Sequence, residues 1–182
     1  MFNNTKALGE DDKKFGDYTP YKAGSYIFRV GGVELGETAE REWRGSGMVE
    51  TGRMIPQLTV IFDVFKMTGS NEIDRLDGST MVNARHRAWI NDSNLGWNKK
   101  ENKPKDGRAI LAALYNVAPD AELPIGDPSA LVNKKLTCYL TVETKKDSSK
   151  NKMIDIIAYL DAIPGVDDLE VTPEMVKEAK KK

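Results

Sequence analysis

DGRAILAALY, residues 106–115, is the stretch whose reading decides the fold. It is rich in good helix formers, and Ile110, Leu111 and Leu114 fall on one stripe at helical spacing. Asp106 stands where a cap is wanted. On both sides of it the chain alternates with a period of two, the mark of half-buried strands. Three such stretches precede the helix and two follow it.

The first runs from Gly24 to Leu35, where Tyr26, Phe28 and Val30 alternate with Ile27 and Arg29. In the second, Met54 to Lys66, one face holds Leu58, Val60, Phe62 and Val64. In the third, Thr80 to Asn91, Val82, Ala84, His86, Ala88 and Ile90 alternate with Met81, Asn83, Arg85, Arg87 and Trp89. The fourth, Lys134 to Lys145, places Leu136, Cys138, Leu140 and Val142 together. The fifth, Lys152 to Ala162, does the same for Ile154, Ile156, Ala158 and Leu160. Between helix and fourth strand, Pro119, Pro124, Gly126 and Pro128 mark a loop, and Ser129 to Val132 one more turn. The order β-β-β-α-β-β predicts a mainly β fold, a five-stranded Greek-key OB barrel with the helix plugging one end.

The expected organisation is an N-terminal arm over 1–22, an OB domain over 23–164, and a C-terminal tail over 165–182. Thr172, Pro173 and Glu174 read as the start of a short C-terminal helix. The motif Tyr18-Thr19-Pro20-Tyr21 is suited to dock the arm on the body.

At 182 residues the chain is one domain or one domain with tails, at roughly 100–200 residues per domain. With 40% hydrophobic and 30% charged residues it can build a core, and no stretch is apolar for long enough to span a membrane. A net charge of −1 excludes a globally basic binder, so anion binding must come from a local patch. One cysteine and one histidine exclude a disulfide framework and a Cys/His zinc site. No apolar signal region follows Met1, and a reduced, cytoplasmic setting is expected.

Four features bear on function. The outward side of the third strand reads Asn83, Arg85, Arg87, Trp89, and Arg29 on the first strand extends it. Guanidinium groups neutralise phosphate and stack on bases, and an indole is a platform for a base. The same pattern also fits a solvated face with an arginine–carboxylate ladder, for which Asp63 and Glu143 are available. Second, a long connection from Gly36 to Arg53 holds Arg41, Trp43, Arg44 and Arg53 among glycines. It reads as a finger closing over a strand, or as a tryptophan folded back on the barrel. Glu37, Glu40, Glu42 and Glu50 weaken any positive field there. Third, Trp97 is followed by Lys99, Lys100, Lys103 and Lys105, a basic run beside an aromatic, or else a solvated loop with Trp97 as a staple. Fourth, residues 134–152 carry six lysines against Glu143 and Asp147, with Lys145, Lys146 and Lys150 about the tip between the last two strands. That tip flanks the binding face of an OB barrel, and lysines also keep sheet edges soluble.

Signals for catalysis are weak. There is no Walker-type phosphate loop and no nucleophile elbow. Asp74 and Asp77 in Asp-Arg-Leu-Asp-Gly read as turn residues, His86 as a satisfied core histidine, and Cys138 as a small core residue. No cofactor, metal or enzymatic activity is expected.

The run AGSYIFRVGGVEL at 23–35 resembles the opening of a family of small phage and prophage proteins. A strand like Leu58-Thr-Val-Ile-Phe-Asp-Val64, a strand ending near a tryptophan, the helix with Leu111 and Leu114, and a turn like Leu131-Val-Asn-Lys134 complete the likeness over 23–162. Asn133 stands where the family has glycine. The family is similar to OB-fold single-stranded DNA-binding proteins. The resemblance implies sequence-independent protection of single-stranded DNA in phage replication or recombination, in the host cytoplasm. Replication or recombination proteins and a second copy of the chain are the further partners considered, and the sequence leaves the oligomeric state open. The rival expectation is a non-catalytic protein-interaction barrel, a phage structural or anti-host factor. A nuclease built on Asp74 and Asp77 with Mg²⁺ is the remaining one.

Overall fold

The computed structural model describes residues 19–124, 126–145 and 148–166, with Lys145 described by its backbone. Most of the 1–22 arm, the helix expected after Thr172, Lys146 and the side chain of Lys145 lie outside the described residues. Nine strands and one α-helix are described: β1 Gly24–Arg44, β2 Gly47–Lys66, β3 Glu72–Asp74, β4 Thr80–Val82, β5 Arg85–Ile90, β6 Trp97–Asn98, β7 Lys103–Pro104, α1 Asp106–Tyr115, β8 Lys135–Lys145 and β9 Ser148–Ala158. Five of them form one antiparallel sheet in the order β5-β2-β1-β8-β9. The pairs β3-β4 and β6-β7 are small ribbons beside it.

The alternating faces form the core as expected. Phe28, Val30, Val60, Phe62, Val64, Leu136, Cys138 and Leu140 are buried against Ile110, Leu111 and Leu114 of α1. The rings of Phe28 and Phe62 stand 5.3 Å apart at 53°. Each such side chain contributes roughly 1.5–3 kcal/mol relative to its exposed state. Burial pushes the Cys138 thiol up to about 12, so it stays an unreactive filler. On the opposite face Ile27, Phe65 and Ile163 make a second, small cluster, which pins the segment after β9 to the sheet. Among the described residues no helix is long and apolar enough to cross a membrane.

The sheet is not closed by pairing: β5 and β9 are its two edges, where a closed barrel is expected from the element order. Their seam is filled by side chains instead. At one end Tyr21, 3% exposed, lies in the core. Its hydroxyl donates to the Arg85 carbonyl on β5 (3.1 Å). Its backbone N–H donates to Asn151 Oδ1 on β9 (2.8 Å), and Asn151 Nδ2 donates to the Tyr21 carbonyl (2.9 Å). Pro20 and Lys22 are held by backbone bonds to Leu76 and Asp74, so the end of the expected arm is a strap on the body. At the other end α1 packs against β5, β8 and β9.

Several sequence expectations are corrected by local backbone geometry. The stretch from Gly36 to Arg53 is not a loop. It continues β1 and β2 as a paired ribbon, here called the arm, that turns at Gly45 (φ +62) and Ser46. The expected third strand breaks at Asn83 (φ 56), whose side chain is held by Asn71. Residues 80–82 therefore pair with β3, and Val82, expected inward, is 56% exposed. In β9 the extra residue of a bulge falls at Asp155 (φ 51). A bulge inverts which side chains face the core. Met153 and Ile156 thus pack on the core, and Leu160 is exposed beyond the strand end. The cap of α1 is Lys105, without a side-chain bond, and Asp106 sits in the first turn, where its charge suits the helix dipole. Asn133 adopts the positive φ (72°) expected of the residue in the glycine position.

Candidate nucleic-acid interface

Register places the predicted outer-face residues in rows across three strands. Arg29, Asp63 and Arg85 share one row, Ile61 and Arg87 the next, Thr59 and Trp89 the third. In the first row Asp63 lies between two guanidinium groups, 3.8 Å from Arg29 and 3.6 Å from Arg85. Arg29 also lies over the Phe65 ring at 5.0 Å. This is the arginine–carboxylate ladder, and it leaves both arginines partly neutralised. Arg87 is exposed and makes no ion pair among the described residues. Trp89 is 56% exposed. Its position is fixed from behind: Asn94 Nδ2 donates to the Trp89 carbonyl (2.7 Å), and Asn91 and Asn94 form a reciprocal capping box that turns the chain just after Ile90.

The open seam meets this edge. A cleft of about 430 Å³ is lined by His86, Ala88 and Trp89 on β5, by Asn94, Asp106, Gly107 and Ile110, and across the gap by Glu143 on β8 and Lys150, Asn151, Lys152 and Met153 on β9. Within it Lys152 pairs with Glu143 at 3.8 Å. A smaller hollow of about 290 Å³ continues past Asn94 and Asp106 to Asn98, Lys103 and Lys105. Together they make a trough with one aromatic wall and lysines on the other side. The β6-β7 ribbon stands at its far end. There Trp97 Nε1 donates to Asn102 Oδ1 (3.3 Å), Lys103 pairs with Glu101 at 2.8 Å, and Lys99 and Lys100 are exposed at the turn.

Of the expected residues, the cleft brings together Trp89 and Lys150; Arg87 stands two residues from Trp89 on the same face of β5, and Trp97, Lys99 and Lys100 belong to the β6-β7 ribbon and its turn. Lys152, Lys103, Lys105, Asn94 and Asn151 join them. Of these, the lysines carried a sequence signal, since lysine-rich runs flank the helix on both sides. The two asparagines carried none. The trough does not include the arm. Trp43 lies nine residues beyond the row of Trp89, roughly 30 Å at ~3.3 Å per residue. Each arginine there meets a glutamate: Arg41 with Glu50 (3.7 Å), Arg53 with Glu40 (3.8 Å), and Arg44 with Glu42. Five glutamates face three arginines over residues 34–57, a net of −2.

His86 takes no part in an ion pair among the described residues. Its ring stands 5.3 Å from that of Phe28, and burial lowers its pKa from 6.5 to about 4. The unfolded chain therefore binds a proton near pH 6.5 that the folded chain refuses until about pH 4. Stability conferred by the neutral ring is complete above pH 6.5 and falls as the pH drops toward 4, by on the order of 3 kcal/mol. Urea titrations at pH 7 and pH 4.5 should show a wild-type loss that His86→Phe lacks. Equal losses in both proteins would place the acid sensitivity elsewhere.

Asp74 and Asp77 serve their turns. Asp74 lies 3.3 Å from Lys66 Nζ, and Asp77 accepts from the Ser79 hydroxyl (2.5 Å) and from the Ser79 N–H (2.8 Å), which hold its carboxyl below the usual range. Among the described residues no group of three or more His, Cys, Asp and Glu is placed to hold a metal ion. No protein-family model, curated protein or solved structure matches the chain.

Proposed function

We propose that the protein binds single-stranded DNA without catalysis and largely without regard to sequence, along the trough between β5 and β9. The observation that carries this is Trp89, exposed on an edge strand beside Arg87, which makes no ion pair among the described residues, with Lys150 and Lys152 across the cleft from Trp89. A flat ring offers stacking worth ~1–3 kcal/mol per base, and the cations suit the phosphates on either side. The sheet order supports an OB-type reading. Five strands in the order third, second, first, fourth, fifth, with a helix between third and fourth, are the Greek-key OB order short of its last pairing. The soft likeness to phage and prophage single-stranded DNA-binding proteins points the same way, and with it a role in replication or recombination in the host cytoplasm.

The test is a fluorescence-anisotropy titration with labelled oligo-dT, duplex DNA and RNA, with and without Mg²⁺. The single strand should bind best and remain uncut. Its affinity should fall with salt at a logarithmic slope of about −0.7 per phosphate neutralised. Equal affinity for duplex, or a flat salt dependence, would remove the proposal. A second reading, a protein-interaction surface, is favoured by one observation: the arm is acidic, and Leu35, Trp43, Met48 and Met54 on it are exposed.

A further inference from the structure

The arm has a side that continues the core. Val33 and Val60 are paired and pack on the core cluster, and Leu35 and Leu58 are the next pair on that face. Two residues further on come Glu37 opposite Pro56, then Ala39 opposite Met54. Past the irregularity at residues 51–53 come Arg41 opposite Glu50 and Trp43 opposite Met48. This face presents Leu35 (72% exposed), Met54 (58%), Trp43 (67%) and Met48 (56%). A two-stranded ribbon alone is marginally stable in water, and a row of large apolar side chains on it is costly to leave hydrated.

Along β1 the face reads Leu35, Glu37, Ala39, Arg41, Trp43: apolar, acid, small, base, apolar. The pattern is its own complement when turned about Ala39. We infer that this face pairs with the same face of a second copy of the chain, about a two-fold axis at the Ala39 row. Leu35 then meets the second copy's Trp43, and Glu37 meets its Arg41, each twice, as an isologous interface requires. The small side chain of Ala39 lets the ribbons approach at the axis. Arg41 is available for this, because its pair with Glu50 is more than 60% exposed on both sides and holds it weakly. The ribbon face is small against the roughly 1,200–2,000 Å² that stable complexes bury, so association is expected at micromolar concentrations.

Sedimentation velocity of the full chain from about 1 to about 100 µM tests it. Wild type should pass from monomer to dimer across that range. Arg41→Glu and Glu37→Arg, each alone, set like charges against each other and should shift the transition at least tenfold upward. An equimolar mixture of the two restores both pairs and should dimerise as wild type does. Circular dichroism checks that each variant is folded. A wild type that stays monomeric, a charge variant that dimerises normally, or a mixture no better than its components would overturn the inference. So would quenching by oligo-dT of the Trp43 emission in a monomeric Trp89→Phe, Trp97→Phe variant, where Trp43 is the sole tryptophan, because the stripe would then be a nucleic-acid contact. The inference does not rest on the trough. Oligo-dT affinity of the two variants, measured on the same samples, reports on the trough separately.

Discussion

Replacing Trp89 and Arg87 together by alanine should weaken oligo-dT binding roughly tenfold to a few hundredfold, the sum of a lost stacking platform and a lost phosphate contact. Both side chains point out of the sheet and are exposed, so the melting temperature should hardly move. The neighbouring row supplies the internal control. Arg85 faces Asp63, and its removal takes away a charge already partly neutralised. Arg85→Ala should cost much less affinity than Arg87→Ala in the same titration. If the double variant binds oligo-dT as wild type does, the edge of β5 is not the binding face.

The second large effect concerns stability. Tyr21→Ala should cost about 3–5 kcal/mol, the range for truncating a buried aromatic side chain, out of the 5–15 typical of a domain. Tyr21 fills the seam between the two edge strands, and its hydroxyl satisfies a β5 carbonyl. Tyr21→Phe keeps the ring and loses the hydrogen bond, about 1 kcal/mol. Urea denaturation of the two variants separates packing from polar closure. A Tyr21→Ala protein within 1 kcal/mol of wild type would mean that the seam is held by other contacts.

The difference between what could and could not be read from the sequence lies in the backbone. Alternation located every long strand of the sheet, because side chains on one face of a regular strand must share an environment. It failed where a single residue broke the period. Asn83, Asp155 and the Gly31 bulge each change which side faces the core, and nothing in hydrophobicity announces them. The arm reads as a loop because glycines and alternating charges dilute its pattern, although only Gly45 and Ser46 make the turn. At the site, Trp89 and Arg87 were legible because outward positions on a strand follow from inward ones. The cleft was not, because it comes from an edge left unpaired. Lys152 and Asn94 belong to it only through tertiary placement.

Gly31 is where the alternation of β1 changes phase. It is the extra residue between the Val30–Phe62 and Gly32–Ile61 pairs, and a side chain there would meet the Asp63 carboxylate at 2.8 Å. Before it, even-numbered residues of β1 point inward; after it, odd-numbered ones do. One glycine thus works as a phase shifter for everything downstream to the hairpin tip. Deleting its codon would remove the bulge and leave the Gly32–Ile61 and Val33–Val60 pairs in place, so Leu35, Ala39 and Trp43 would keep their face in a strand of unbroken alternation. The core upstream would keep its side chains.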